Sequence, residues 1–559
     1  MKFLKHFKTV STPEQKKERK RILFLSLLSG LMLGLSFPPV PIPYLMFGAL
    51  IPYFIVINSK KTLGEINRFT YAFAFVFTIV SIYWVGSWTS EADPFLMISG
   101  GMLMFYNPLM FLIPSTLFYF SKKKFGNKIP FLLFPFFWVS YEYFYSVFEL
   151  RFPWLTLGTG QAYFKSFIQI ADIVGAYGLS IIIIFINIFL FFFYINFKES
   201  RKKYYYLLVA ILLIIIPVIY GQLKINSFHI SDEKIKVGVV QPDFNPNKKW
   251  EAGNLDEQIN NYFELSEKAI KENAEIVLWP ETALPVYLLS GGYSKEVERI
   301  RNFVDSNNIF LLTGMPDATF YFDTTNVPPE AKPLRNGELF YTSYNSILLF
   351  SPNQNTIQKY GKIKLVPFGE KAPFIDILPF ISDWIKWNVG ISSWNVGKEQ
   401  TVFELENKKV NIKVGGVICI ESVYPEFTAK FVENGAQILF VVTNDSWYGN
   451  SSGPYQHKEI SVLRAVENGR AVVRAANGGI SCFIDPLGFT LSETEMFTKT
   501  FLTNDVEIKS ELTFYTKHPY IIPYLSLFVS IVVLLLFIQS KISDKLIHQK
   551  KEKYNEKNS

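Results

Sequence analysis

Eight long apolar runs constrain the fold of this chain more than any other feature. Runs of roughly 17–25 apolar residues cross a bilayer as helices. The sequence therefore predicts a multi-pass membrane protein, although the second run is short and Pro-flanked and can also form a re-entrant segment. The runs start near the following residues: Arg21, Pro43, Phe69, Phe95, Pro130, Phe167, Tyr204 and Tyr520.

Basic residues flank alternate apolar runs. Lys and Arg number eight before the first run, three in residues 59–68, four in 121–129, four in 198–203 and six after the last run, whereas the intervening loops hold almost none. Loops rich in Lys and Arg stay in the cytoplasm. The alternation predicts that both termini are cytoplasmic and that residues 223–517 lie outside. It also explains the net charge of +8 without any binding of nucleic acid.

The chain divides into three parts by composition. Residues 1–222 are predicted to form a cytoplasmic tail and seven transmembrane helices, residues 223–517 an exoplasmic domain, and residues 518–559 the last helix and a basic tail. In the exoplasmic part, β-rich runs alternate with helical stretches, which is typical of an α/β domain with layered sheets covered by helices. The strand candidates are Ile235–Gln241, Glu275–Trp279, Ile309–Met315, Ser343–Phe350, Val410–Glu421, Gln437–Asn444 and Ile480–Asp485.

Three polar clusters follow predicted strands. They are Trp279-Pro280-Glu281, Cys419-Ile420-Glu421 and Thr443-Asn444-Asp445-Ser446-Trp447. Loops at strand ends converge to make sites in α/β folds. The sequence therefore predicts that the three clusters share one pocket.

Cys419 is the candidate nucleophile of that pocket. A thiol becomes reactive when a base takes its proton or a nearby cation stabilises the thiolate. Two bases are possible, Glu281 and His457, and Lys362 can supply the cation that stabilises an oxyanion. Glu370 is expected to pair with this lysine. A disulfide with Cys482 is the alternative reading, since the exoplasmic compartment permits one.

The order of these motifs carries a family resemblance. Trp279-Pro280-Glu281, the Lys362 segment and Gly416–Glu421 resemble the Glu-Lys-Cys motifs of the nitrilase superfamily. With the apolar runs, the chain resembles the apolipoprotein N-acyltransferase family throughout residues 22–540. Further matching stretches are Leu365–Glu370, Thr443–Gly449, Arg464–Arg470 and Phe152-Pro153-Trp154.

The resemblance implies an αββα sandwich beside a membrane helical bundle, and an acyl transfer in two halves. Glu281 would be the base, Cys419 the nucleophile that becomes a thioester, and Lys362 the oxyanion stabiliser, with no cofactor or metal. The donor would be a phospholipid, typically phosphatidylethanolamine, and the acceptor the N-terminal diacylglyceryl-cysteine of apolipoproteins at a bacterial inner membrane. Trp250, Glu370 and Glu421 match supporting positions, whereas Ile420 stands where the family commonly has an aromatic residue.

Two further features bear on lipid substrates. The stretch 373–394 is unusually apolar for an outside loop, so a lid that dips into the headgroups and a core helix are both possible. Glu142, inside the fifth run, can either hold a substrate headgroup or pair with Arg151.

Two other functions remain open at this point. A membrane-anchored amidase would hydrolyse the thioester with water, but eight runs are far more than an anchor needs. A non-catalytic scaffold would not need Glu281, Lys362 and Cys419 together.

Overall fold

The computed structural model describes most of the chain. The described residues are 12–88, 94–197, 201–246, 248–249, 255–323, 326–334, 337–371, 373–374 and 394–558. Trp250 and most of the predicted lid stretch 373–394 therefore lie outside the described residues.

Helices occupy every predicted apolar run. Their bounds are α1 Pro13–Leu35, α2 Met46–Ala49, α3 Ile51–Ser59, α4 Leu63–Ile82, α5 Pro94–Met110, α6 Leu112–Phe125, α7 Ile129–Val147, α8 Lys165–Ile168, α9 Ala171–Ile195 and α10 Lys202–Ser227, with α16 Ile521–Asn558 at the end of the chain. Among the described residues, five helical segments are long and apolar enough to cross a membrane. These are Leu63–Gly86, Leu96–Phe125, Ala171–Ile195, Lys202–Ser227 and Ile521–Glu556. Several apolar helices are thus confirmed, while the count of eight spans stays a prediction.

Aromatic side chains fill the interior of the helical part. The ring of Phe54 on α3 packs edge-on against Phe131 and Phe134 of α7 and against Phe191 of α9, with centroids 5.6, 5.4 and 6.0 Å apart. Edge-to-face pairs of this kind add to the stabilisation that comes from buried area. Contacts of this kind account for part of the high Phe content of the chain, which has 54 Phe residues.

Glu142 of α7 is buried in this interior. Its Oε1 accepts hydrogen bonds from Trp138 Nε1 at 3.0 Å, Leu157 N at 2.9 Å and Ser180 Oγ at 3.2 Å. Within the described part of the chain no ion pair joins it to Arg151. Glu142 therefore ties α7 to α9 and to the loop between them, and of its two alternative roles the pairing with Arg151 is not formed.

The α/β domain that follows α10 contains two β-sheets. Its strands are β1 Lys234–Gln241, β2 Ile276–Trp279, β3 Phe310–Tyr321, β4 Lys332–Leu334, β5 Leu339–Phe350, β6 Ile357–Gly361, β7 Val402–Glu406, β8 Asn411–Ile418, β9 Ile438–Thr443, β10 Val472–Ala476, β11 Cys482–Ile484, β12 Thr490–Glu493 and β13 Thr500–Glu507. The first sheet has the order β13-β1-β2-β3-β5-β4 with β6 paired to β5, and the second has the order β12-β11-β10-β9-β8-β7. The central strands β1-β2-β3 and β8-β9-β10 are parallel.

The two sheets face each other between layers of helices. Ile276 and Leu278 of β2 belong to the core shared with the second sheet, whereas Val277 and Trp279 pack with helices α11 (Leu255–Lys271) and α12 (Ser294–Asn307). Gly415 of β8 faces α13 (Pro425–Glu433) on the opposite side. The alternation of buried residues on each strand gives the predicted α/β layers.

Helix α14 (Ser452–Asn468) joins the α/β domain to the membrane helices. The Gln456 side chain accepts hydrogen bonds from Trp84 Nε1 at 3.1 Å and Trp154 Nε1 at 2.8 Å. Its amide nitrogen donates to the carbonyl oxygens of Pro38 and Ser81 at 2.9 and 2.8 Å. One buried amide therefore satisfies four polar groups of the helical part.

Replacing Gln456 by Leu should loosen this junction. The change leaves two indole N–H groups and two carbonyls buried without partners, and each such group costs about 1–3 kcal/mol. We expect the midpoint of thermal unfolding of the purified protein in detergent to fall by several degrees, measured by intrinsic fluorescence. Gln354→Leu is the control, because Gln354 is exposed and its side chain makes one hydrogen bond, of 3.2 Å, to the carbonyl oxygen of Glu406. An equal shift in both variants would contradict the role given to Gln456.

Candidate active site

A buried lysine lies between two carboxylates at the carboxyl end of the first sheet. Glu281 follows β2 and Lys362 follows β6. The Lys362 ammonium lies 3.2 Å from Glu281 Oε1 and 2.8 Å from Glu370 Oε1. Asn345 of β5 donates to the same two oxygens, at 2.7 and 2.9 Å. The four side chains form one hydrogen-bonded cluster with an excess of negative charge.

The carboxylates keep Lys362 charged although the side chain is only 1% exposed. Burial by itself lowers the pKa of a lysine, but the charges of Glu281 and Glu370 outweigh burial and raise this pKa well above its ordinary value. The ammonium is therefore a fixed positive charge in a site of low dielectric. Such a group is suited to stabilising an oxyanion that develops beside it.

Cys419 directly follows β8 and begins a short 3-10 helix, Cys419–Val423. Its backbone has φ of 51°, a left-handed conformation that is uncommon for residues other than glycine. Both Cys419 and Cys482 are free thiols, so the disulfide alternative is not realised. Burial and the charge of Glu281 raise the pKa of the Cys419 thiol, which the nearby lysine offsets only in part. The resting thiol is therefore neutral and needs a base at the moment of attack.

Glu421 connects the two halves of the site. Its Oε1 accepts from Tyr360 Oη at 2.7 Å and from the backbone N–H groups of Ile363 and Lys364 at 2.7 and 3.1 Å. Its Oε2 accepts from the N–H of Ile418 at 2.9 Å. Burial raises the pKa of Glu421 to about 7. The side chain thus holds the segment that carries the buried lysine against the loop that carries the thiol.

His457, the alternative base, bonds to the backbone of the thiol loop. Its Nδ1 lies 2.8 Å from Asp445 Oδ1, and its Nε2 lies 3.0 Å from Ser422 Oγ and 3.1 Å from the carbonyl oxygen of Cys419. Burial lowers the pKa of His457. Both ring nitrogens have partners other than the thiol, which favours the carboxylate over the imidazole as the base.

A cavity of about 120 Å³ brings the three sequence clusters together. Its walls include the candidate base, lysine and thiol, and also residues that follow β9. Leu96 of α5 lines it as well, so the cavity reaches the helical part of the molecule. The lining residues are Leu96, Glu281, Thr282, Asn345, Lys362, Val366, Gly369, Glu370, Trp394, Cys419, Asn444, Trp447 and Tyr448.

Several residues of the site escape sequence reasoning. Asn345 lies inside a strand, where a polar residue gives no sign of its role, and Leu96 looks like any membrane-facing residue. Lys249 is buried behind the site, with its Nζ 3.1 Å from Thr282 Oγ1. Burial lowers the pKa of Lys249 to about 7, against the opposing charge of Glu281. The only available signal for Lys249 was its position beside Trp250, which lies outside the described residues.

Gly314 of β3 allows the chain to place Glu281. A Cβ atom at this position would lie 2.6 Å from the Cα of Glu281 and 2.6 Å from the carbonyl oxygen of Pro280. Both are backbone atoms, which cannot move aside as a flexible side chain would. Close approach of two backbones is thus required for the observed position of the carboxylate.

Gly314→Ala should displace Glu281 from the cavity. Because the neutral thiol then lacks its base, we expect slower alkylation of Cys419 by iodoacetamide, followed by mass spectrometry of the modified peptide. Gly292→Ala is the matched control, since a Cβ there meets only Ser290 Oγ at 3.9 Å. Wild-type alkylation rates in Gly314→Ala would show that the carboxylate does not act on the thiol.

Known protein families match both the helical part and the α/β domain of the chain. The family described as carbon-nitrogen hydrolase matches residues 236–513, and the family described as apolipoprotein N-acyltransferase N-terminal domain matches residues 29–189. A relative from Chlorobaculum tepidum, named apolipoprotein N-acyltransferase, is 32% identical over 90% of this chain and 94% of its own length. Relatives of the same name from Geobacter metallireducens and Rickettsia prowazekii are 29% and 30% identical, over 89% and 83% of this chain and 92% and 88% of their own lengths.

Proposed function

The chain belongs to the apolipoprotein N-acyltransferase family, and we propose that it transfers a fatty acyl chain from a phospholipid to the N-terminal amine of diacylglyceryl-modified apolipoproteins. The acyl chain passes through a thioester at Cys419. The donor is phosphatidylethanolamine, and the site lies on the outer side of a bacterial inner membrane with both termini in the cytoplasm. The alternation of basic residues along the sequence supports this orientation.

One observation carries the proposal. The cavity that holds Cys419, Lys362 and Glu281 is also lined by Leu96 of a membrane helix. A nucleophile in such a place can reach an acyl ester whose chains remain among the helices. Exposing each CH₂ of a lipid chain to water costs roughly 0.8 kcal/mol, so a cavity that opens toward the membrane spares the substrate this cost.

The first half of the reaction loads the thiol. Glu281 takes the proton from Cys419 as the sulfur attacks the ester carbonyl of the phospholipid. The oxyanion of the tetrahedral intermediate is stabilised by the ammonium of Lys362. When the carbon–oxygen bond breaks, the lysophospholipid alcohol leaves with the proton that the carboxyl held, and the acyl chain stays on sulfur.

The second half of the reaction transfers the acyl chain from Cys419 to the acceptor. The free α-amine of the acceptor attacks the thioester carbonyl, and Lys362 again stabilises the oxyanion. Glu281 takes a proton from the nitrogen and returns it to the departing sulfur. Glu370 holds the Lys362 ammonium in place, and Asn345 holds the Glu281 carboxylate. Both halves of the reaction use Glu281, Lys362 and Cys419.

Cys419→Ser should abolish the transfer and Cys482→Ser should not. The assay combines the full chain in mixed micelles, a phosphatidylethanolamine with a labelled acyl chain, and a synthetic diacylglyceryl-cysteine peptide, with the triacylated peptide measured by mass spectrometry. Cys482 is the matched control because it is buried in β11. Release of free fatty acid in place of the triacylated peptide would instead identify a hydrolase. Equal loss in both variants would contradict the assignment of Cys419.

Glu281→Gln and Lys362→Met should fail in different ways. Without the base no thioester forms, because the neutral thiol keeps its proton. Without the ammonium both halves slow, typically by about 10²–10³ for one oxyanion donor, so a thioester still accumulates over long incubation. Quenched time courses of labelled Cys419 measure the difference. A thioester in Glu281→Gln, together with none in His457→Gln, would show that the imidazole is the base.

A further inference from the structure

A group of hydrogen-bond donors without partners lies where the exoplasmic domain meets the end of α7. The Nε of Arg151 and the hydroxyl groups of Tyr145 and Tyr424 are buried and have no hydrogen-bond partner among the residues that the structure describes. The side chain of Lys364 is half-buried, and the only hydrogen bond of this residue among the described ones is made by its backbone N–H to Glu421. Buried donors are normally satisfied, so three such groups beside a half-buried ammonium are unusual.

Two of these donors are cations without an ion-pair partner. The Nζ of Lys364 lies 5.1 Å from the ring centroid of Tyr424 and 5.7 Å from that of Phe427. No ion pair joins Arg151 or Lys364 to a carboxylate within the described part of the chain. Burial lowers the pKa of Lys364, and the positive charge of Arg151 lowers it further, which shows that the two cations act on each other.

The acidic groups near this cluster do not neutralise it. Glu421 is occupied by four donors of the catalytic segments. Glu426 acts on Lys364 from a distance, and burial raises the pKa of its own carboxyl. Glu142, the sequence candidate for pairing with Arg151, bonds to Trp138 and its neighbours instead. The cluster therefore offers donors and positive charge to an anion that the described part of the chain does not supply.

The position of the cluster indicates which anion. Arg151 follows the last turn of α7, where Phe144 and Val147 are 40% and 49% exposed and face the lipid side of the bundle. The next ring along the chain, Phe148, packs against Phe374 with centroids 6.3 Å apart. Lys364 is two residues from the catalytic lysine. The donors thus lie near the lipid-facing end of α7 and on the segment that carries Lys362.

We propose that Arg151 and Lys364, with the hydroxyl groups of Tyr145 and Tyr424, bind the phosphodiester group of the acyl-donor phospholipid. This inference rests on the proposed function and identifies where that function recognises its donor. An arginine and a lysine together supply positive charge and charge-assisted hydrogen-bond donors to a phosphodiester monoanion. The diacylglyceryl acceptor has no phosphate, so the site acts in the first half of the reaction only.

Arg151→Gln and Lys364→Gln should each raise the KM for phosphatidylethanolamine in thioester formation. Roughly tenfold is expected, the usual effect of losing one charge-assisted hydrogen bond. The full chain in mixed micelles is used with varied donor, and labelled Cys419 is measured. Arg301→Gln is the matched control, because Arg301 is also half-buried and donates to the carbonyl oxygens of Gln354 and Asn355, which precede β6 and do not line the cavity. Arg151→Lys keeps the charge and should recover much of the loss.

A phosphate-free donor, the p-nitrophenyl ester of the same fatty acid, separates binding of phosphate from a general defect. The kcat/KM of phosphatidylethanolamine relative to this ester should fall about tenfold in both glutamine variants and stay unchanged in the control. An unchanged ratio, or an equal loss with both donors, would overturn the inference. A wild-type KM in both variants, with inhibition by millimolar inorganic phosphate that the variants lose, would assign the site to a free anion and also overturn it. Absence of a thioester from either donor in the wild-type chain would refute the proposed function itself.

Discussion

The ammonium of Lys362 between the carboxylates of Glu281 and Glu370 is the interaction on which the rest of the site depends. A buried charge is tolerated only when partners surround it closely. These two partners lie in different loops at one edge of the first sheet, Glu281 after β2 and Glu370 after β6. The same lysine is what makes the neighbouring neutral thiol useful, because it offers positive charge where an oxyanion develops. The second sheet places Cys419 opposite this cluster. Glu421 holds the two sheets together through its hydrogen bonds to Tyr360, Ile363 and Lys364 on one side and to the N–H of Ile418 on the other.

The membrane imposes the second constraint. An acyl chain that leaves the bilayer loses roughly 0.8 kcal/mol for each CH₂ exposed, so the cavity must be continuous with the helical part. Helix α14 connects the nucleophile to the helical part. Its Gln456 accepts hydrogen bonds from Trp84 and Trp154, and the next residue, His457, bonds to the carbonyl oxygen of Cys419. A single helix therefore sets the position of the nucleophile relative to the membrane.

Much of this architecture could be predicted from sequence because its signals are local. Apolar runs, basic flanks and polar residues after strands identified the helices, the layered domain and the three clusters that line one cavity. Strand β10 was missed because Arg474 lies within it, and a charged residue there suggests exposure; the structure buries Arg474 against Asp445. Asn345 could not be found, since its role depends on two carboxylates that are distant in sequence.

The central claim is that Cys419 carries the acyl chain between two substrates, and intact-protein mass spectrometry tests it most directly. The chain purified with its native lipids, without an acceptor peptide, should carry one fatty-acyl adduct that neutral hydroxylamine removes and that peptide mapping places on Cys419. A thioester in that position follows from a thiol held beside a base and a fixed ammonium. An unmodified Cys419 after incubation with phospholipid, or an adduct mapped to another residue, would contradict the account.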